Sequence, residues 1–96
     1  RQLDIEVGVA YDTDLNAALA IINAVLAGNP RVLKEPAPVI GVSVLADSSI
    51  QVAVKPWTQV ADFGPAGGEI KKSIVEAFRS GNIVIPFPQH EVRMLA

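Results

Sequence analysis

The chain has no cysteine, a single histidine, and few aromatic residues: one tryptophan, one tyrosine and three phenylalanines. Without cysteine it offers no disulfide framework, no thiolate metal site and no cysteine nucleophile. A metal centre needs several converging ligands, and the sequence has one imidazole with scattered carboxylates. We therefore interpret His90, beside Glu91 near the chain end, as a surface or interface residue.

The chain also lacks a dominant charge and a long apolar run. Eight lysines and arginines against ten aspartates and glutamates give a net charge of −2. Binding to phosphates requires a basic patch, so we expect no nucleic-acid partner. No run approaches the roughly 20 apolar residues that span a bilayer. Because the first residue is Arg1 rather than Met, we expect a piece of a longer protein, and the missing span then says nothing about the parent.

Apolar residues make up half of the 96, and the mean hydropathy is +0.35. This apolar fraction is high for one small domain. One interpretation is a well-filled core, and the other is apolar surface kept for a partner, which we favour.

Two hydrophobic periods alternate along the chain. Period two predicts a strand over residues 3–9. Asp12, Thr13 and Asp14 are N-cap candidates for a helix from Leu15 to Leu26, which the sequence Gly28-Asn29-Pro30 should end with Gly28 at a position that tolerates left-handed backbone. Residues 39–45 are apolar on both sides, which is typical of a central strand or one covered on both faces. Residues 50–54 should pair with them as a hairpin.

The second half of the chain also contains helix-period and strand-period segments. Residues 63–68 predict a loop that can include the first turn of the next helix. That helix presents Ile70, Ile74, Ala77 and Phe78 on one face. Residues 83–85 predict a fourth strand before Pro86-Phe87-Pro88. The order βαββαβ predicts an α+β fold, the ferredoxin-like split βαβ, with both helices on one face of an antiparallel sheet. Residues 1–88 should form this domain, and residues 89–96 should begin a further strand or tail.

No residues stand out as a catalytic, cofactor-binding or metal-binding site. Asp12 and Asp14 could bind a cation, but their place before a helix indicates capping. The glycines from Gly64 to Gly68 match no phosphate-binding motif. The serines lack the context of an activated nucleophile. Strands without aromatics argue against RNA recognition. A small-molecule sensor stays open, because the fold hosts many functions.

Five segments in order resemble one family. They are residues 7–14 (VGVAYDTD), 32–38 (VLKEPAP), 45–50 (LADSSI), 54–57 (VKPW) and 81–89 (GNIVIPFPQ). Together they are similar to the C-terminal α+β domain of small-conductance mechanosensitive channels, the MscS-like family. The glycine-rich approach to the second helix departs from many members, and suggests a shorter or frayed helix start.

The resemblance implies a homoheptameric channel of the bacterial inner membrane, with pore-lining helices and a small β domain upstream. The domain would form part of a hollow cytoplasmic cage, and residues 89–96 would start a strand of its closing barrel. The expected function is release of ions and small osmolytes on hypo-osmotic shock, with an assembly and filtering role, no cofactor and no enzymatic activity for this domain. The alternative is a soluble ferredoxin-like regulatory domain that binds a small ligand.

Overall fold

The structure is a computed structural model, and it describes residues 1–86. The elements run β1 (Ile5–Val9), α1 (Leu15–Ala27), β2 (Val39–Leu45), β3 (Ile50–Lys55), a short 3-10 turn (Val60–Asp62) and α2 (Phe63–Ser80). The predicted α+β class with two helices is confirmed, and it is consistent with the ferredoxin-like arrangement.

The three strands form one antiparallel sheet in the order β1-β3-β2. Ile5 lies opposite Val54, and Val9 opposite Ile50. On the other side of β3, Ile40 lies opposite Val54, and Ser43 is the extra residue of a bulge between Val42 and Val44. The period-two alternation of β3 turns its apolar residues toward the helices.

The core lies between the sheet and the two helices. In α2 every fourth residue from Ala66 to Phe78 is buried, which makes one continuous apolar stripe. In α1 the buried residues are Ala18, Ile22 and Leu26. The strands and the segment before β1 supply the other apolar residues of the core, namely Leu3, Ile5, Val9, Ile50, Val52 and Val54.

The start of α2 differs from the sequence prediction. Residues 64–68 are helical rather than a loop, and the helix runs 18 residues from Phe63. Pro65 is the third helical residue, where an N–H group has no intrahelical partner to lose. Ala66 is fully buried there, so the first turn is held by packing as well as by local preference. The expected short or frayed helix start is therefore wrong.

Gly28 also differs from its prediction. It caps α1, but its φ is −83°, in the right-handed region. The positive φ occurs instead at Asn82, at 61°, just after Gly81 caps α2. Asparagine is one of the few residues other than glycine that adopt this backbone readily.

Two predictions about the sheet are corrected. Residues 39–45 were predicted to form a central strand or one covered on both faces; within residues 1–86, β2 pairs only with β3 and lies at the edge of the sheet with most of its residues exposed. The predicted fourth strand is absent from residues 83–86, although this segment does reach the sheet. The N–H of Ala10, just after β1, donates to the carbonyl of Val84 at 3.2 Å. The extended pairing that would make a strand does not form within the described residues.

Candidate functional site

Two side chains of the types considered in the sequence, Asp14 and Ser43, make hydrogen bonds within the fold. Oδ1 of Asp14 accepts a hydrogen bond from the N–H of Ala17 at 3.2 Å, so Asp14 is the N-cap of α1 as predicted. The hydroxyl of Ser43 donates to the carboxylate of Glu6, with 3.0 Å to Oε2. In residues 1–86 no three acidic or imidazole side chains converge as a metal site would require. His90 lies outside the described residues.

An ion-pair network that sequence reasoning missed joins the segment after α1 to α2. The guanidinium of Arg31 contacts Asp62 at 2.6 Å and Glu69 at 3.1 Å. Asn29 belongs to the same network. Its Oδ1 accepts a hydrogen bond from the backbone N–H of Arg31, and its side-chain amide donates one to Glu69. The hydrogen bond to Asp62 and then the charge of Glu69 raise the pKa of Arg31 above its ordinary value. Arg31 is 31 residues from Asp62 and 38 from Glu69, so no local pattern could have indicated the network.

A groove of about 500 Å³ lies beside the C-terminal end of α1. Leu26, Val32, Leu33 and Pro38 supply much of its apolar lining. Its polar groups are two asparagine amides and the exposed Lys34. Only three of the nine lining residues have polar side chains, and none of these is an acid, a histidine or a hydroxyl residue.

Among residues 1–86, the exposed large apolar side chains are most numerous on β2. We call Val39, Val42, Val44 and Leu45 the β2 strip, and their exposed fractions are 57%, 45%, 53% and 70%. The strip is apolar on both faces of the sheet. Val42 and Leu45 lie opposite the buried Val52 and Ile50, whereas Val44 lies opposite Gln51 on the face without helices. The sequence showed the same apolar pattern, from which a central strand or one covered on both faces was predicted.

A second exposed apolar feature follows α2. We call Val84 and Ile85 the exit strip, and their exposed fractions are 61% and 38%. Its hydrogen bond with Ala10 attaches it to the β1 end of the sheet. Since β3 separates β1 from β2, the two strips belong to opposite sides of the same sheet.

None of the helices in residues 1–86 combines the length and apolar character that crossing a bilayer requires. The described helices instead belong to the packed core.

Comparison with known proteins gives one consistent result. The family model described as mechanosensitive ion channel MscS, C-terminal, matches residues 3–85. The chain is 33% identical over 95 residues to an uncharacterized MscS family protein of Synechocystis, covering 99% of the chain and 32% of the relative. It is 33% identical over 94 residues to a small-conductance mechanosensitive channel of Edwardsiella ictaluri, covering 98% of the chain and 33% of the relative.

The fold is found in a solved structure as well. The crystal structure of Helicobacter pylori MscS in the closed state matches with a TM-score of 0.86 over 91% of this chain and 35% of that one, at 24% identity. The chain thus spans about a third of the length of these relatives. The family match over residues 3–85 shows that the chain belongs to the MscS mechanosensitive channel family and corresponds to its C-terminal domain.

Proposed function

We propose that the parent protein is a mechanosensitive channel that opens under membrane tension and releases ions and small osmolytes on hypo-osmotic shock. The observation that carries this proposal is the match of the family model to residues 3–85. One of the similar proteins is named as a small-conductance mechanosensitive channel. In this proposal the parent lies in the inner membrane, and the domain is on the cytoplasmic side.

Within such a channel the domain has an assembly and filtering role and no catalytic one. The described polar contacts include a helix cap by Asp14 and ion pairs of Arg31, which stabilise the fold. Its exposed apolar surface is concentrated on the β2 strip, which suits contact with other protein better than contact with water. The proposed assembly is a homoheptamer whose α+β domains enclose a cage. In the same proposal residues 1–88 form the domain, and residues 89–96 begin either a strand of the barrel that closes the cage or a tail.

Patch-clamp recording of the full-length parent tests the function. The parent is expressed in a bacterial strain that lacks its own tension-gated channels, and suction is applied to excised patches. We expect a conductance that rises steeply with suction, whereas patches from cells with the empty vector stay closed. A correctly inserted parent that shows no tension-dependent conductance would refute the proposal.

The sequence upstream of Arg1 in the parent separates this function from the regulatory alternative. Apolar spans followed by a β-rich segment support the channel. An upstream kinase, transporter or synthase domain would instead support a ligand-binding regulatory domain.

A further inference from the structure

We propose that the groove beside the C-terminal end of α1 binds a small amphiphilic anion, an alkyl chain of about ten carbons that ends in one carboxylate. The site goes beyond the proposed function, which assigns no ligand to this domain. Three properties of the groove lead to this ligand: its volume and apolar walls, the hydrogen bonds that fix its shape, and its single charged residue.

The groove is large enough for such a chain and is apolar along most of its lining. Its volume of about 500 Å³ lies within the range of pockets that hold small molecules. Leu26, Val32, Leu33 and Pro38 line it, and Leu26 also belongs to the buried core, at 3% exposure. An alkyl chain that enters the groove exchanges contact with water for contact with these side chains. The walls therefore select an apolar body.

The wall formed by the segment after α1 is fixed before any ligand binds. The N–H of Leu33 donates to the carbonyl of Trp57 at 2.8 Å, and the N–H of Val32 donates to the carbonyl of Asn29 at 3.1 Å. Arg31 lies between these two bonds and is held to α2 by its ion pair with Glu69. Because the groove already has its shape, a ligand does not have to order the segment when it binds.

Lys34 is the charged residue of the lining that the structure describes. Within residues 1–86 its ammonium takes part in no ion pair, since the pairs found there use Arg31 and Lys72. Glu35 follows it in the sequence but does not line the groove. A carboxylate head group therefore gains a charge-assisted contact with Lys34, whereas a cationic head group is repelled.

The other polar groups of the lining already have partners. The amide of Asn23 donates to a backbone carbonyl of α1 at 3.1 Å, and the amide of Asn29 donates to Glu69. The N–H of Gly28 bonds to carbonyls in the last turn of α1, which reduces the attraction of this helix end for cations. Lys34 thus offers the strongest contact to a polar head group, and it selects an anion.

Photo-labelling of the full-length parent in lipid nanodiscs tests the site. The probe is a decanoate analogue with a diazirine near the end of its chain, and mass spectrometry locates the label after illumination. We expect saturable labelling of residues 23–38, because the tail lies against the apolar walls. Excess decanoate should remove these labels. Decanol should compete about threefold to fivefold more weakly, as expected for the loss of one exposed ion pair, and decylammonium more weakly still.

Two substitutions test the walls and the charge separately. Ala27→Phe fills the groove from an exposed position of α1 and should abolish the labels in residues 23–38. Ala20→Phe is its matched control, because Ala20 is exposed on the same helix but does not line the groove. Lys34→Gln should raise the half-saturating probe concentration about threefold to fivefold and remove the preference for decanoate over decanol. Lys71→Gln, at an exposed lysine of α2, should change neither.

Other results overturn the inference. Labels confined to the part of the parent outside this domain, or labelling of residues 23–38 that does not saturate, would show partitioning of the probe without a site. Equal competition by decanol, or stronger competition by decylammonium, would show an apolar groove without preference for an anion. Absence of label from residues 23–38 would show that protein covers the groove in the parent. None of these readouts depends on tension-dependent conductance, so the site and the proposed function are tested separately.

Discussion

The phenol of Tyr11 donates a hydrogen bond to the backbone carbonyl of Ala46. Tyr11 follows β1 and Ala46 follows β2, so the bond crosses the end of the sheet above the start of β3. The two outer strands have no direct ladder between them. This side chain therefore supplies a link between the outer strands at the end where both finish.

Tyr11→Phe removes this link and keeps the ring. We expect the free energy of unfolding to fall by about 0.5–1.5 kcal/mol, the usual net value of one hydrogen bond. The low end is favoured because Tyr11 is half exposed and Ala46 can bond to water instead. Urea unfolding of the purified 96-residue domain measures the change. Tyr11→Leu serves as the comparison, and a loss there no greater than in Tyr11→Phe would show that the ring itself adds nothing.

Asp14→Ala removes the side-chain cap of α1. The N–H of Ala17 then loses its carboxylate partner, and we expect a loss of about 1 kcal/mol in stability. Asp12→Ala is the matched control, since it removes an exposed aspartate two residues earlier that does not cap the helix. Circular dichroism during urea unfolding measures both. Equal losses from the two variants would mean that general charge, and not the cap, accounts for the effect.

Arg31→Ala breaks the network that joins Asp62 and Glu69 to the segment after α1. We expect a thermal midpoint lower by about 2–5 °C, because the pairs are partly exposed and each contributes little. Arg31→Lys should recover only part of this, since lysine lacks the fork that reaches both carboxylates. The difference should shrink in about 1 M salt, where exposed charges are screened.

The pH dependence of this network follows from the direction of the pKa change. Since the pKa of Arg31 is raised in the folded state, its stabilisation is fully present below the ordinary arginine pKa. It is lost only as the pH rises through the raised value. Between about pH 6 and about pH 9 the thermal-midpoint difference between Arg31→Ala and the natural chain should therefore not vary through Arg31. A loss of the difference within this range would contradict the assignment.

Phe78→Ala removes the largest side chain of the core. Phe78 is fully buried at the end of the α2 stripe, so its removal leaves a cavity that costs about 3–5 kcal/mol. Small domains have only about 5–15 kcal/mol in total, and we expect the variant to be partly unfolded at 37 °C. Phe63→Ala is the control: Phe63 is half-buried, with the guanidinium of Arg1 4.3 Å from its ring centroid. Phe63→Ala should lower the free energy of unfolding clearly less than Phe78→Ala does, as measured by calorimetry.

Local patterns were sufficient where one element determines its own structure. The alternation in residues 50–54 and the spacing in residues 15–26 correctly predict β3 and α1. Asp14 was predictable as a cap, because a carboxylate before a helix satisfies free N–H groups whatever the rest of the fold does. The family, too, was indicated by five short segments in order.

Local patterns failed where a distant partner decides. The glycine-rich run 64–68 has weak helix preference, yet it is helical because Ala66 begins a stripe that the core buries. The apolar pattern of residues 39–45 predicted a central strand or one covered on both faces, yet within residues 1–86 this strand lies at the edge of the sheet. Its apolar side chains on both faces of the sheet are exposed at that edge.

The sequence by itself determined the order of strands and helices, the cap of α1 and the family, because each depends on neighbours within a few residues or on a pattern along the chain. Only the tertiary structure decided which strand is central, that Arg31 meets Asp62 and Glu69, and that two apolar strips lie on opposite sides of the sheet. These features depend on contacts between residues far apart in sequence, and their partners are chosen by packing of the whole sheet and both helices.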